Sequence, residues 1–322
     1  MRCDIRVLRS FAGLLVAGMI VAAAPARAFP DRPINMVVPW GVGGGGDRVG
    51  RVMARLMSAK LGVSVPVINV TGAASQVGLN KVLGEPADGY NVIEITSDSY
   101  ILFAAANPKF KVSDFTALAV VDQQPSGFFV REDSPLKTWA DALKAAKSRT
   151  VTVAGSGFGT QSDVTVNYFD KVHGLKLVSV PFDDPGLRWN SLLGGHTDLL
   201  YAQFGDLVSY LAGKQLRPVL AFAEDRLPDY PAIPTVKELS YNIDITHFRA
   251  FAVKAGTDAS RYDALVAALN TASQSPDYEK MLVDEAALPG SYVAGSAAHA
   301  YVHKWVDDLR GVIAKASAKN GG

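Results

Sequence analysis

A run of glycines between an apolar stretch and a helical stretch is the first feature of this sequence that could do chemistry. Residues 39–47 read P-W-G-V-G-G-G-G-D, with five glycines between Gly41 and Gly46. Glycine adopts backbone conformations closed to other residues and lets a ligand approach the amide N–H groups. The following helix adds unpaired N–H groups and the positive end of its dipole. The segment therefore predicts an anion site, in which Asp47 either caps the helix or contacts the ligand.

The same loop lacks the full pattern of two nucleotide-binding motifs. Residues 41–46 match G-x-G-x-x-G, but a dinucleotide site needs an acidic residue at the end of the second strand. That strand ends I-N-V-T-G at residues 68–72, without an acid. No Gly-Lys-Ser/Thr follows the glycines, which excludes a P-loop. We therefore expect no nicotinamide, flavin or other cofactor.

A second glycine loop, A-G-S-G-F-G-T at residues 154–160, also follows a strand pattern and precedes a helical one. Two such loops, one in each of two lobes, can face each other across a cleft. A hydrolase motif G-x-S-x-G is excluded, because Gly157 stands where that motif needs serine. Of the five histidines, His299 and His303 share a helix face, but no acidic residue lies between them. H-E-x-x-H is thus absent, and we expect no metal site.

The first 28 residues have the pattern of a secretory signal peptide. Arg2, Arg6 and Arg9 flank an apolar run at residues 11–24, and A-R-A at residues 26–28 fits a cleavage site. A membrane anchor is the alternative, but this run is shorter than the ~20 residues that span a bilayer. We predict cleavage after Ala28 and a periplasmic location.

The charge and cysteine content exclude further classes. The full chain has 32 basic and 31 acidic residues with no long block of like charge, which excludes a basic nucleic-acid binder. Without residues 1–28 the net charge is −2, and Cys3, the single cysteine, is gone. The mature protein therefore has no disulfide framework, thiol chemistry or cysteine-based metal site.

Apolar strand patterns alternate with helical patterns along the rest of the chain, which is typical of an α/β protein with parallel sheets. The alternation runs to residue 96, restarts after it, and gives way to helices in the last quarter, so the length and pattern favour two lobes. The predicted strands are residues 34–39, 65–70, 90–96, 127–131, 151–153, 177–180, 198–201 and 219–222. The predicted helices are residues 47–61, 75–83, 138–147, 161–172, 186–193, 261–274, 278–285 and 297–316.

Motifs in a fixed order along the chain resemble those of the solute-binding proteins of tripartite tricarboxylate transporters, the TctC or Bug family. Each is short, and their order and spacing carry the resemblance. They are F-P-D-R-P-I at residues 29–34, the glycine loop at 38–47, N-V-T-G-A-A-S-Q-V-G at 69–78, P-A-D-G-Y at 86–90, D-F-T at 114–116, L-G-G-H-T-D at 193–198 and L-P-D-Y-P-A-I-P-T-V at 227–236.

The resemblance implies a type II periplasmic-binding fold, with two α/β lobes, a hinge of two crossing strands and a ligand cleft between the lobes. It places the first lobe at residues 29–123, the second at 124–247, and a return to the first lobe with C-terminal helices at 248–322. It implies a small organic acid as ligand, the large and small membrane subunits of a transporter as partners, and a monomer.

The implied ligand contacts come from loops of both lobes. In the first lobe they are Trp40, Gly41, Val42, Gly44, Asp47, Ala74, Ser75, Thr96, Ser97 and Asp98. In the second lobe they are Ser156, Gly157, Gly159, Thr160, Phe182, Phe204 and Asp206. These small, hydroxyl and aromatic residues suggest a carboxylate that is held without a formal cation.

Several residues depart from the family pattern. Trp40 replaces a common Phe and either stacks on an aromatic acid or packs under the loop. Val42 replaces a Pro. Asp98 stands where small residues are usual and would repel a second carboxylate. Residues 183–186, D-D-P-G, replace a K-G pair, so the sequence predicts that a cation is missing from the second lobe.

Three classes of function remain open. The first is a receptor that delivers an organic acid, aliphatic or aromatic, to membrane subunits. The second is an exported receptor of the same fold that serves a sensor kinase or another class of transporter. The third is an exported enzyme on a similar scaffold, although the sequence offers no catalytic residues.

Overall fold

The computed structural model describes residues 29–105, 108–241, 243, 246–288 and 290–318. The predicted signal peptide and its cleavage site lie outside these residues. In the described part of the chain, no helix is both long enough and apolar enough to cross a bilayer.

Strands and helices alternate along most of the chain. The strands are β1 (Asn35–Val38), β2 (Val67–Asn69), β3 (Asn91–Thr96), β4 (Phe115–Gln124), β5 (Ser126–Arg131), β6 (Val151–Gly155), β7 (Leu177–Pro181), β8 (Leu199–Gln203), β9 (Leu216–Phe222), β10 (His247–Lys254) and β11 (Val293–Ala294). The helices are α1 (Gly45–Leu61), α2 (Gln76–Gly84), α3 (Ser97–Ala104), α4 (Trp139–Ser148), α5 (Gln161–His173), α6 (Pro185–Leu193), α7 (Val208–Ala212), α8 (Ala259–Ala272), α9 (Pro276–Asp284) and α10 (Gly295–Ala318).

Two sheets define two α/β lobes. The first lobe has the strand order β11-β4-β10-β3-β1-β2, and the second has β7-β6-β8-β5-β9. In the first sheet β1, β2 and β3 are parallel, whereas β10 runs antiparallel to β3 and β4. In the second, β6, β7 and β8 are parallel and β5 is antiparallel to its neighbours. Each sheet is therefore mixed. Its antiparallel strand, β10 in the first sheet and β5 in the second, is the strand with which the chain enters from the other lobe.

The chain crosses between the lobes at two places. Strand β4 of the first sheet continues through Pro125 into β5 of the second. The chain returns between β9 and β10, where His247 pairs with Gln124. The first sheet thus takes its strands from residues 35–124 and 247–294, and the second from residues 126–222. The lobe limits given above stay a prediction.

The helices form where apolar spacing and capping residues favour them. In α1, Val49, Met53 and Met57 are buried at intervals of four residues, and Gly62 ends the helix in the left-handed conformation. In α6, the Asp184 side chain accepts a hydrogen bond from the Leu187 N–H at 2.8 Å.

Five elements are missing from the sequence prediction: α3, α7, β4, β10 and β11. Strand β4 carries Asp122 and Gln124, and β10 carries Arg249, all buried. Buried charges interrupt the apolar runs that indicate a core strand. The two strands pair with each other, with Arg249 opposite Asp122 in the register. Each charge is therefore compensated by a residue that is distant in the sequence.

Candidate functional site

A cleft lies between the lobes where the strand-to-helix loops of both sheets meet. Its first-lobe lining comes mainly from the β1–α1 loop and the end of β3, and its second-lobe lining from α6 and the ends of β6, β7 and β8. The lining residues are Trp40, Gly41, Gly44, Gly45, Gly46, Thr96, Asp98, Ser156, Phe182, Asp183, Pro185, Arg188, Gln203, Asp206, His247 and Arg249.

The glycine loop forms the first-lobe side of the cleft. Helix α1 starts at Gly45, and its N-cap, Gly44, has no side chain that could occupy the first N–H groups. Side chains of the second lobe approach the loop closely: a Cβ on Gly41 would lie 2.8 Å from Pro185 Cδ. A Cβ on Gly45 would overlap the Arg249 guanidinium and the Asp206 carboxylate. Glycine is therefore required here by the close approach of both lobes.

Asp47 does not occupy the N-cap position, which was one of the two roles that the sequence left open for it; the N-cap is Gly44. It is the third residue of α1, and its Oδ2 accepts hydrogen bonds from the Gly43 N–H and Arg51 Nε, both at 3.0 Å. Its Oδ1 accepts from Asn69 Nδ2 at 2.9 Å. Burial opposes ionisation, but the bonds from Arg51, Gly43 and Asn69 lower the pKa of Asp47 below its usual value. Asp47 is absent from the cleft lining and fixes the shape of the loop.

Arg249 lies at the centre of a buried ionic cluster beneath the glycine loop. Its Nη1 lies 2.7 Å from Asp122 Oδ2 and 3.8 Å from Glu285 Oε2. Its Nη2 lies 3.7 Å from Asp206 Oδ1. Burial alone would lower the pKa of Arg249, but the surrounding carboxylates, Asp122 first, raise it. Arg249 is therefore permanently cationic and already compensated by acids of both lobes.

Two acids of this cluster have raised pKa values. Burial raises the pKa of Glu94 to about 8, and Arg249 only partly opposes this effect. Burial likewise raises the pKa of Asp122 to about 6. Among the described residues, neither carboxyl oxygen of Glu94 has a hydrogen-bond partner. Glu94 is therefore mostly protonated at neutral pH.

Arg188 is a cation that the sequence analysis missed, and it corrects the prediction of a second lobe without one. It lies on α6, is 8% exposed, and lines the cleft. Its Nη2 lies 3.8 Å from Asp206 Oδ2, beyond hydrogen-bond distance. Its Nε has no hydrogen-bond partner in the part of the chain that the structure describes. A buried guanidinium with unused donors is suited to hold a carboxylate.

Asp98 connects the two lobes. It is the second residue of α3, and its Oδ1 accepts a hydrogen bond of 2.6 Å from the backbone N–H of Gln161, the first residue of α5. Burial raises the pKa of Asp98, whereas the Gln161 N–H and the charge of Arg188 oppose that rise. Asp98 thus reaches the cleft as predicted by its position, but its carboxylate is bound to the second lobe.

Ser97, Gln161 and His247 form a buried chain of hydrogen bonds beside Asp98. Ser97 Oγ lies 3.2 Å from Gln161 Oε1 and 2.9 Å from His247 Nδ1, and His247 Nδ1 lies 3.3 Å from Gln161 Oε1. Because Ser97 donates to the amide oxygen, its own oxygen accepts from His247 Nδ1–H. Burial lowers the pKa of His247 well below its usual value, so the ring is neutral. Its Nε2 is then an acceptor.

The second glycine loop is held by its own hydroxyl groups. Thr160 Oγ1 donates to the Gly157 carbonyl at 2.6 Å and lies 2.9 Å from Ser162 Oγ. Gly157 and Gly159 have positive φ values of 131° and 74°, which favour glycine. Of this loop only Ser156 reaches the cleft lining.

The remaining predicted residues lie in different surroundings. The cleft lining includes Trp40, Gly41, Gly44, Thr96, Asp98, Ser156, Phe182 and Asp206 but not Val42, Asp47, Ala74, Ser75, Ser97, Gly157, Gly159, Thr160 or Phe204. Val42 is exposed, and Ala74 and Ser75 are buried with left-handed backbone conformations. Phe204 packs in the second lobe, with its ring centroid 4.9 Å from that of Phe129.

Few sequence patterns indicated the other lining residues. Gln203, at the end of β8, follows a predicted strand. It could have been predicted, because the carboxyl ends of strands in such sheets line the ligand cleft. Arg188 stands inside a helix pattern and His247 and Arg249 inside an unpredicted strand, where no motif marks them.

The polar groups of the cleft can bind an anion. Within the described ranges, no group of three or more His, Cys, Asp or Glu residues is arranged to hold a metal ion. The cleft instead combines the start of α1, the Arg188 guanidinium and the donor groups of Trp40 and Thr96. Neither Trp40 Nε1 nor Thr96 Oγ1 has a hydrogen-bond partner among the residues described. This combination fits an anionic organic ligand.

Two α/β lobes with a polar cleft between them define a periplasmic binding protein of type II. Solved structures share this fold. MatC from Rhodopseudomonas palustris, solved with bound malate, superposes with a TM-score of 0.82 at 24% identity, covering 88% of this chain and 100% of MatC. A second Rhodopseudomonas palustris protein, solved with adipate, gives a TM-score of 0.78 at 20% identity, covering 91% and 98%.

Sequence comparison assigns the family. The protein BugT of Bordetella pertussis is 28% identical over 290 residues, which cover 86% of this chain and 89% of BugT. The model of the tripartite tricarboxylate transporter family receptor, TctC, matches residues 49–299. Since that match spans more than half of the sequence, this chain belongs to the TctC family.

Proposed function

We propose that the protein captures a small organic carboxylate in the cleft. The observation that carries the proposal is Arg188, a buried guanidinium that lines the cleft and retains an unused Nε–H. The start of α1 faces the same space, so backbone N–H groups and a cation can act on one carboxylate. The malate bound to MatC and the adipate bound to the second Rhodopseudomonas palustris protein are organic acids of this kind.

The family supports a role in transport. A receptor of this family would act in the periplasm and deliver its ligand to the large and small membrane subunits of a tripartite transporter. Cleavage after Ala28 would release a monomer whose first lobe spans residues 29–123 and 248–322 and whose second spans 124–247. The same fold serving a sensor kinase or another class of transporter is the alternative within the receptor class.

An exported enzyme is the weaker alternative. The serine and histidine closest to a nucleophile–base arrangement are Ser97 and His247, but the Ser97 side chain is fully buried and engaged with Gln161. A nucleophile must reach the substrate. Ser97 is absent from the cleft lining, which supports binding without turnover.

The proposal is tested by calorimetry on the protein from residue 29 onward, first freed of retained ligand by partial unfolding and dialysis. A panel of aliphatic, hydroxylated and aromatic acids is titrated against wild type and Arg188→Gln. We expect at least one acid to bind, and the substitution to weaken binding by about ten- to a hundredfold, since hydrogen bonds to charged groups contribute ~1.5–3 kcal/mol.

The matched control is Arg226→Gln, which removes an exposed arginine of the second lobe that pairs with Glu238. It should leave binding unchanged. Equal affinity in wild type and Arg188→Gln would contradict the role of Arg188. If none of the acids bound to wild type, the proposal that the protein is a carboxylate receptor would be contradicted. Chemical conversion of a bound acid would favour the enzyme.

A further inference from the structure

Each lobe places a carboxylate of its own beside the first turn of a helix in the other lobe. Asp98 of the first lobe accepts the hydrogen bond from Gln161 N–H at the start of α5. Asp206 of the second lobe lies beside Gly45 at the start of α1, where Arg48 Nη2 donates to its Oδ1 at 3.0 Å. Both helix starts favour anions. In both, a protein carboxylate is already nearby.

The two carboxylates differ in their compensation. Asp206 is surrounded by Arg48, Arg188 and Arg249 at 3.0, 3.8 and 3.7 Å. No salt bridge within 4 Å is found for Asp98 in the described part of the structure, where a single backbone N–H binds its Oδ1. The bond of 2.6 Å to the start of a helix and the nearby charge of Arg188 favour the ionised carboxylate, and they oppose burial, which raises the pKa of Asp98. Of these two carboxylates, Asp98 is thus the less compensated.

The charge balance of the cleft lining also disfavours a second ligand carboxylate. It contains three carboxylates, those of Asp98, Asp183 and Asp206, and two guanidinium groups, those of Arg188 and Arg249. Arg249 is already bound to Asp122. One ligand carboxylate can use the donors of Arg188 and α1. A second one would find Asp98 and the His247 Nε2 acceptor in place of a free cation.

We infer that Asp98 determines specificity by occupying the start of α5 as a tethered carboxylate, so that the receptor selects acids with one carboxylate over those with two. The inference rests on the proposed function and narrows its ligand class. The physical basis is discrimination through an unfavourable contact: a second ligand carboxylate must either displace Asp98 from Gln161 N–H or remain uncompensated beside it.

The test uses two pairs of acids that differ in one carboxylate, hexanoate with adipate and 2-hydroxybutyrate with malate. Dissociation constants are measured by calorimetry for wild type, Asp98→Asn and Asp98→Ser. Asp98→Asn keeps the shape and an acceptor oxygen and guards against misfolding, whereas Asp98→Ser also empties the position. Asp170→Asn, which removes an exposed carboxylate from the far part of α5, is the matched control.

We expect wild type and the Asp170 variant to bind the monoacid of at least one pair about tenfold or more tightly than its diacid. Both Asp98 variants should reduce or invert that ratio. A wild type that binds diacids as tightly as monoacids would overturn the inference and leave the receptor standing, as would a ratio unchanged in both Asp98 variants. Binding of none of the four acids would remove the inference together with the proposed ligand class.

Discussion

At the scale of single residues, Glu94 shows how the ionic cluster beneath the glycine loop depends on pH. It is fully buried on β3, and a Cβ on Gly46 would lie 2.9 Å from its Oε2. Its position therefore supports the start of α1 from below. Its carboxyl group has no hydrogen-bond partner among the described residues. Arg249 Nε lies 3.7 Å from Glu94 Oε1, but Arg249 also pairs with three other acids, so ionisation of Glu94 would be incompletely compensated.

The raised pKa of Glu94 predicts a loss of stability with rising pH. Burial raises the pKa of Glu94 to about 8 in the folded protein, whereas the pKa of a free glutamate side chain is 4.5. Its favourable contribution is complete below pH 4.5 and is lost as pH rises towards 8, by up to ~1.4 kcal/mol per pH unit. Glu94→Gln removes that loss, because glutamine keeps the shape and does not ionise.

Urea unfolding at pH 5, 6.5 and 8 checks this prediction. Glu94→Gln should match wild type most closely at pH 5 and exceed its free energy of unfolding increasingly towards pH 8. Asp263→Asn, on the exposed side of α8, is the control and should follow wild type at every pH. A difference between Glu94→Gln and wild type that is the same at all three values would disprove the assignment.

The residue scale is also where sequence reasoning reached its limit. It directed attention to the β1–α1 loop, which lines the cleft, because glycines between a strand and a helix have a direct physical meaning. It could not find Arg188, because an arginine inside a helix pattern normally belongs to a solvated face. Only the packing of α6 against the β1–α1 loop buries that side chain and directs it to the cleft.

At the scale of elements, local chemistry predicted most of the secondary structure. Alternating apolar runs indicated β1, β3, β6 and β9, and helix α5 was predicted to within one residue of its end. Strands β4 and β10 were missed because their charges are compensated only after the sheet forms, when Asp122 meets Arg249. The two strands that connect the lobes are therefore also those whose sequences are least typical of a strand.

The start of α1 gives a prediction at this scale. Gly45→Ala introduces a methyl group where the Arg249 guanidinium and the Asp206 carboxylate now lie. We expect a loss of ~1–3 kcal/mol in stability, as for overpacked sites, together with weaker carboxylate binding. Thermal unfolding and calorimetry on the same samples measure both effects.

Gly84→Ala is the control for this prediction. Gly84 ends α2, and a Cβ there would meet nothing within 4 Å. Alanine should be neutral or stabilise the protein by about 0.5–1 kcal/mol, since it restricts the unfolded chain more than glycine does. If Gly45→Ala behaved like Gly84→Ala in both measurements, the close approach of the lobes at α1 would be contradicted.

At the scale of the whole molecule, Arg48 joins the lobes. Located on α1, it donates to Glu285 Oε1 at 2.7 Å in the first lobe and to Asp206 Oδ1 at 3.0 Å in the second. The Asp98–Gln161 bond makes a second connection on the other side of the cleft. Both connections are formed by groups of the protein itself, so the lobes are linked through their own side chains and backbone.

Removing the first connection should change the shape of the molecule. Arg48→Gln is expected to increase the radius of gyration measured by small-angle scattering in the absence of added acid, because the lobes lose a charged link between α1 and Asp206. Arg55→Gln is the control, since Arg55 lies on the same helix and pairs with exposed Asp277. Scattering curves that coincide for wild type, Arg48→Gln and Arg55→Gln would show that the Arg48 link does not hold the lobes together.

The paired links of Asp98 and Asp206 also bear on the rate at which the receptor captures its ligand. When protein groups hold the lobes together, an incoming acid must wait until thermal motion separates them. Association then has two regimes. In dilute solution it follows the frequency of encounters, and at high concentration it levels off at the frequency with which the lobes part. The same links would delay the release of a bound acid, so we expect slow exchange in both directions.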